Sequence, residues 1–250
     1  MVLSLVFLYF TLGLCGVLLG VVVWKYDLYR REPWWLLLLA AALGAASIYA
    51  AGLVQVWMIG LVNARGEVVS DTVFAMMAGG TEEIGKLLAV LVIWAVSRKH
   101  FDEPIDGLIY GSLAGLGAAL EESIAVLTDG PVLRVLPPQE PVRLAGHLIM
   151  GGIGGYGMGL LVVRHRFGTL ALLGSLLAAI VLHTLWDVVA FAAADHYRTY
   201  AKLRVWQSAL PVLLMFIGMM VYRRMVTQGS RLTRAHLNVC DVATRRCPPD

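Results

Sequence analysis

Apolar positions along this chain come in blocks. Seven of them, at about 3–24, 34–57, 76–97, 105–127, 143–163, 169–193 and 205–222, approach the ~20 residues a helix needs to cross a bilayer. Between the second and third blocks, the segment 58–75 carries Asn63, Arg65, Glu67 and Asp71 and reads as a loop. Between the fourth and fifth, the segment 128–142 holds Pro131, Pro137, Pro138 and Pro141, which cannot continue a helix interior. The pattern predicts an all-α fold: a multi-pass membrane helical bundle of about seven transmembrane helices. A single membrane domain is expected over 1–222, with a C-terminal tail over 223–250.

Composition strengthens that reading. The chain has 250 residues, 59% hydrophobic and 15% charged, with a mean hydropathy of +0.75. A soluble domain has roughly a quarter charged residues, so no separate soluble domain is expected. The first lysine is Lys25, so no basic segment precedes the first block, and a retained helix is expected there in place of a cleaved signal peptide. Cys15 lies in that block. Cys240 and Cys247 lie in the tail and are expected as free thiols, not as a disulfide or metal clip.

Net charge is only +3, and its placement says more than its sum. With the N-terminus outside, the inner loops and tail hold 13 basic residues: Lys25, Arg30, Arg31, Arg98, Lys99, Arg164, Arg166, Arg223, Arg224, Arg231, Arg234, Arg245 and Arg246. The outer loops then hold 6: Arg65, Arg134, Arg143, Arg198, Lys202 and Arg204. Lys/Arg bias in short loops sets orientation, so the N-terminus is expected outside and the tail in the cytoplasm. Trp34 and Trp35 beside Arg30 and Arg31 fit an interfacial belt. Gly111 and Gly115, and Gly151, Gly155 and Gly159, recur every four residues, a spacing that lets helices approach closely in lipid.

Ionisable residues inside apolar blocks are costly and are retained only where they face protein or water. The third block holds Glu82, Glu83 and Lys86, in Gly79-Gly80-Thr81-Glu82-Glu83-Ile84-Gly85-Lys86. The fourth holds Glu121 and Glu122, the fifth begins near His147, and the sixth holds His183 and Asp187. The first, second and seventh have none deep in their runs. With alternating directions, the groups on the four middle blocks fall within roughly 6–15 Å of the outer surface. They are expected to share one water-accessible cavity. His183 and Asp187 are i, i+4 and share a helix face; Glu82 and Lys86 have the same spacing and are expected as a structural ion pair. Glu121 is expected at the interface without a role. Two imidazoles and several carboxylates suit a zinc-like ion with one position left for water, and a nearby carboxylate would be the general base. A proton- or ion-coupled transporter, or a scaffold with a dead site, would use the same side chains. Neither His-Glu-x-x-His nor Gly-x-Ser-x-Gly occurs.

Glu82-Glu83-Ile84-Gly85-Lys86 resembles the Glu-Glu-x-x-Lys motif of the PrsW-type intramembrane proteases, in the wider CAAX- and bacteriocin-processing group. Asp106 to Gly111, then Gly115-Leu116-Gly117, resembles the approach to the family's Phe-x-x-x-Glu motif, with Glu122 as the glutamate and Ala118 in place of the phenylalanine. Gly146-His147 and His183-Thr184-Leu185-Trp186-Asp187 resemble the third and fourth motifs, and the four together span roughly 76–193 as a four-helix catalytic core. The resemblance implies an endopeptidase that cuts membrane-anchored proteins near the extracytoplasmic boundary, as site-1-like proteases cut anti-sigma factors. It implies Glu82 and Glu83 as catalytic, with one activating water. Glu122, His147, His183 and Asp187 would bind a metal, expected as zinc, or polarise the scissile carbonyl; a metal-free glutamate mechanism stays open. The expected partners are membrane-anchored substrates and the lipid bilayer, and no nucleic acid.

Overall fold

The computed structural model describes residues 2–25, 30–129, 135–200 and 205–244. Its seven α-helices follow the seven apolar blocks: α1 Val2–Trp24, α2 Trp34–Asn63, α3 Asp71–Val96, α4 Asp106–Asp129, α5 Gln139–Val162, α6 Gly168–Tyr200 and α7 Val205–Thr244. A single 3-10 turn, Arg98–His100, precedes α4, and there is no strand among the described residues. Among the described residues, five helices are long and apolar enough to cross a membrane: α1, α2, α5, α6 and α7. The two that fall short, α3 and α4, carry Glu82, Glu83 and Lys86, and Glu121 and Glu122. Their hydropathy is lowered by these charges, most of which belong to the site.

Several helices outrun the apolar blocks, because a polar residue beyond the lipid does not break a helix. The expected loop 58–75 is only 64–70. Leu61 and Val62 carry α2 on to Asn63, Gly66 takes a left-handed φ of 78°, and α3 starts at Asp71. The Ser70 side chain accepts from the Val73 amide at 3.4 Å, and Asp71 lies in the first turn, where it complements the helix dipole. The fifth helix begins at Gln139, ahead of the expected 143. Pro141 falls in its first turn, where a missing N–H costs no intrahelical bond. The segment beyond 222 continues α7 without a break to Thr244, around Pro211 near its start. Expectations resting on Pro131, Arg134, Lys202, Arg204, Arg245, Arg246 and Cys247 fall outside the described residues.

The central pair is α4 and α5. Nearly every side chain from Glu103 to Ala119 and from Gly146 to Leu160 is buried. Around this pair stand α1, α2, α3, α6 and α7, with α3 closing the ring against α2 and α6. The α4–α5 contact is made by glycine. A Cβ on Gly107 would lie 2.2 Å from the Gly155 carbonyl oxygen, one on Gly111 2.3 Å from that of Gly151, and one on Gly115 2.0 Å from that of His147. Any side chain there would force the helices apart, so the glycine spacing seen in the sequence is a packing device. The same device seats α2 on α4, where a Cβ on Gly117 would lie 1.8 Å from the Ala41 oxygen. The outer helices turn Phe10, Val56, Leu170 and Phe216, all exposed, outward, as a lipid-facing surface requires.

Candidate active site

Four helices bring the costly residues of the sequence to one place. At the helical rise of ~1.5 Å per residue, Glu82 lies about 16 Å from Asp71, Glu122 about 10 Å from Asp129, and His147 about 12 Å from Gln139. These are neighbouring ends of the bundle, so the three share one half of it. His183 lies deeper in α6, about 25 Å from Tyr200, because that helix continues well past its apolar block.

His183 is the hub. Its Nδ1 is 2.8 Å from Glu83 Oε1, and its Nε2 is 3.6 Å from Glu82 Oε2 and 3.5 Å from Asp187 Oδ2. The ring of His147 meets that of His183 edge to face, with centroids 5.0 Å apart. His147 Nε2 is 3.2 Å from Glu122 Oε2. Both imidazoles are buried; His147 has one nitrogen against a glutamate from another helix and His183 has both, which fixes the ring planes.

Lys86 is nearly fully buried, and its Nζ donates to Glu83 Oε1 at 2.6 Å. The expected partner was Glu82, one turn away at i, i+4. The i, i+3 neighbour takes the lysine instead, because Glu83 and Lys86 both point into the bundle. Glu83 thus satisfies a buried cation and a buried imidazole with one oxygen. Its side chain is 1% exposed. Of the three other expected carboxylates, Glu122 is the most open, with 36% of its side chain exposed, against 17% for Asp187 and 12% for Glu82. Glu121 sits at the edge of the group, half-buried, with no contact to the histidines given by the geometry.

In the sequence Arg143 counts only as an outer-loop charge. It lies in the first turns of α5, with Nε 3.7 Å from Glu122 Oε1 and a terminal nitrogen 3.3 Å from Glu140 Oε2. It therefore connects the buried Glu140 to the carboxylate that holds His147. The i, i+4 relation of Arg143 to His147 on one helix was the available signal. A second supporting contact lies behind Glu82, where the buried Gln55 of α2 donates to Thr81 Oγ1 at 2.9 Å.

Glu82, His147 and His183 each offer one donor atom, and the three atoms lie within 4.8 Å of one another. Glu82 Oε2 and His147 Nδ1 are buried without a hydrogen-bond partner, a costly condition that a cation would relieve. One carboxylate and two imidazoles also form a known zinc-ligand set, so the residues present fit a divalent ion.

A family model described as PrsW family intramembrane metalloprotease matches residues 32–222. Protease PrsW of Geobacillus kaustophilus (strain HTA426) is 26% identical over 208 residues, covering 80% of this chain and 90% of that relative. No solved structure matches.

Proposed function

The chain belongs to the PrsW family of intramembrane metalloproteases and is an intramembrane protease, and from that premise we propose how its site works. The reading rests on one observation above the others: a carboxylate and two imidazoles from α3, α5 and α6 converge within 4.8 Å inside an otherwise apolar bundle.

In this reading Glu82, His147 and His183 hold a divalent ion, zinc by the chemistry of the set. When bound, such an ion supplies Lewis acidity toward a peptide carbonyl and lowers the pKa of water. Glu83 does not meet substrate. It holds His183 through Nδ1 and neutralises Lys86, so the ring presents Nε2 toward Glu82 and Asp187. Glu122, the most open carboxylate, accepts the proton of the attacking water and passes it to the leaving amine. Asp187 orients the same histidine face from one turn along α6. A second reading is favoured by the unpartnered Glu82 Oε2 beside His183 Nε2: without an ion, Glu82 is itself the base.

The substrates are membrane-anchored proteins, with anti-sigma factors as one class the family resemblance suggests. The Lys/Arg bias, 13 against 6, supports an extracytoplasmic N-terminus and a cut near the extracytoplasmic boundary. The test is cleavage of a single-pass reporter in proteoliposomes. His183→Ala and Glu82→Gln should each lower kcat/KM at least 100-fold with insertion intact. Normal cleavage by either variant would refute the assignment. Solute flux abolished by Glu82→Gln without any peptidase activity would favour a transporter.

A further inference from the structure

The last helix carries a charged face that the protease site does not use. Arg223, Arg224, Thr227, Gln228 and Arg231 line one open surface of α7, and all five are exposed. No Asp or Glu occurs between residues 205 and 240, and among the described residues no carboxylate pairs with these arginines. Four other arginines at this end of the bundle are engaged, while the exposed Arg164 stands alone without a neighbouring cation of its own helix face. Arg30 pairs with Asp102 at 2.5 Å, and Arg31, Arg98 and Arg166 lie over Trp24, Trp94 and Phe167 at 4.6, 4.7 and 4.6 Å. The α7 arginines have neither kind of partner.

Their position along the helix is specific. Val212, Phe216 and Met220 are exposed by 69%, 61% and 43%, and Arg224 follows at the same four-residue step. One face of α7 therefore runs from apolar to cationic at the point where the apolar block ends. The opposite face fixes the rotation: Tyr222 Oη hydrogen-bonds Ser112 Oγ at 2.9 Å, and Gly229 packs against Tyr156 and Ile105. The arginines cannot turn inward.

We propose that this face is a binding site for an anionic phospholipid, with acyl chain along Val212, Phe216 and Met220 and headgroup phosphate between Arg223, Arg224 and Arg231. Guanidinium suits the task because its planar fork meets phosphate oxygens two at a time. Gln228 supplies a neutral donor between the cations, while the Thr227 hydroxyl donates to the Arg223 carbonyl at 2.9 Å. A free phosphate would satisfy the arginines but not the apolar ridge, so the continuity of the two favours a lipid. The inference rests on the membrane fold and not on the peptidase assignment, and its readout is binding alone.

The experiment is native mass spectrometry of the full chain in neutral detergent, titrated with phosphatidylglycerol, phosphatidylcholine or inorganic phosphate. Phosphatidylglycerol should bind the parent at least tenfold tighter than phosphatidylcholine. Replacing Arg223, Arg224 and Arg231 together by Gln should weaken it about tenfold or more. Replacing Arg98 and Lys99 by Gln should leave it unchanged. The triple Lys variant guards against misfolding and should fall between parent and triple Gln; if only single variants are recovered, Arg224→Gln should weaken binding about threefold. Equal binding by parent and Arg variants, equal loss in the Arg98/Lys99 control, or full displacement by inorganic phosphate would overturn the proposal.

Discussion

Glu83 and His183 are 100 positions apart in the chain and 2.8 Å apart in the fold, glutamate oxygen to imidazole Nδ1. That contact joins α3 to α6, and Lys86 completes it from one turn further along α3. Three ionisable groups share a nearly dry interior. The arrangement is tolerable only while each retains its partners, because an uncompensated buried charge is far more costly than an absent pair.

Glu83→Gln should therefore strand Lys86 and destabilise the protein by about 3–5 kcal/mol, while Glu83→Gln with Lys86→Met should regain much of that loss. Thermal unfolding in detergent checks the order of the two. Cleavage should stay low in both, because His183 has lost the group that orients it. A double variant less stable than Glu83→Gln alone would contradict a buried ion pair.

The glycine contact between α4 and α5 sets the separation of Glu122 from His147. A Cβ at Gly115 would lie 2.0 Å from the His147 carbonyl oxygen, whereas one at Gly174 meets nothing within 4 Å. Gly115→Ala is expected to lower stability by about 1–3 kcal/mol and to reduce cleavage beyond that loss, since it moves His147 directly. Gly174→Ala should leave unfolding temperature and activity near the parent. Equal effects at the two glycines would count against helix approach as the cause.

Arg143 connects Glu140 with Glu122, and Glu122 holds His147. Arg143→Gln should weaken metal affinity about 10- to 100-fold, as loss of a group supporting a ligand commonly does. The zinc concentration that restores activity to stripped protein reports this. Arg143→Lys keeps the charge and should recover part of the affinity. An unchanged zinc requirement in Arg143→Gln would remove this residue from the site.

Topology is open to a direct check. A cysteine placed at Arg65, in the α2–α3 loop, should react with an impermeant maleimide added to intact cells, and one placed at Lys99 should not. The opposite pattern would put the site on the cytoplasmic side and overturn the inferred cleavage boundary.

Much of this was legible in the sequence because lipid makes polar residues conspicuous. Glu82, Glu122, His147 and His183 stand out in apolar blocks, and the fold brings all four together. The lysine partner was not legible, since i, i+3 and i, i+4 lie on nearly the same face and only the packing chooses Glu83. The loop expected over 58–75 is shorter than its polar residues suggest, because α2 runs on to Asn63 and α3 starts at Asp71, and hydropathy does not mark the last helical hydrogen bond. Arg143 was overlooked for the same reason. A charge near a helix start looks like loop punctuation until its neighbours Glu140 and Glu122 are in place.

The most direct measurement is metal content by inductively coupled plasma mass spectrometry on chain purified without affinity-tag metals, alongside cleavage of the same samples. One zinc per chain is expected in the parent, falling below a tenth in Glu82→Gln, His147→Ala and His183→Ala, with cleavage lost in parallel. Full cleavage by parent chain that carries no metal, or full zinc occupancy in His183→Ala, would contradict the three-residue metal site.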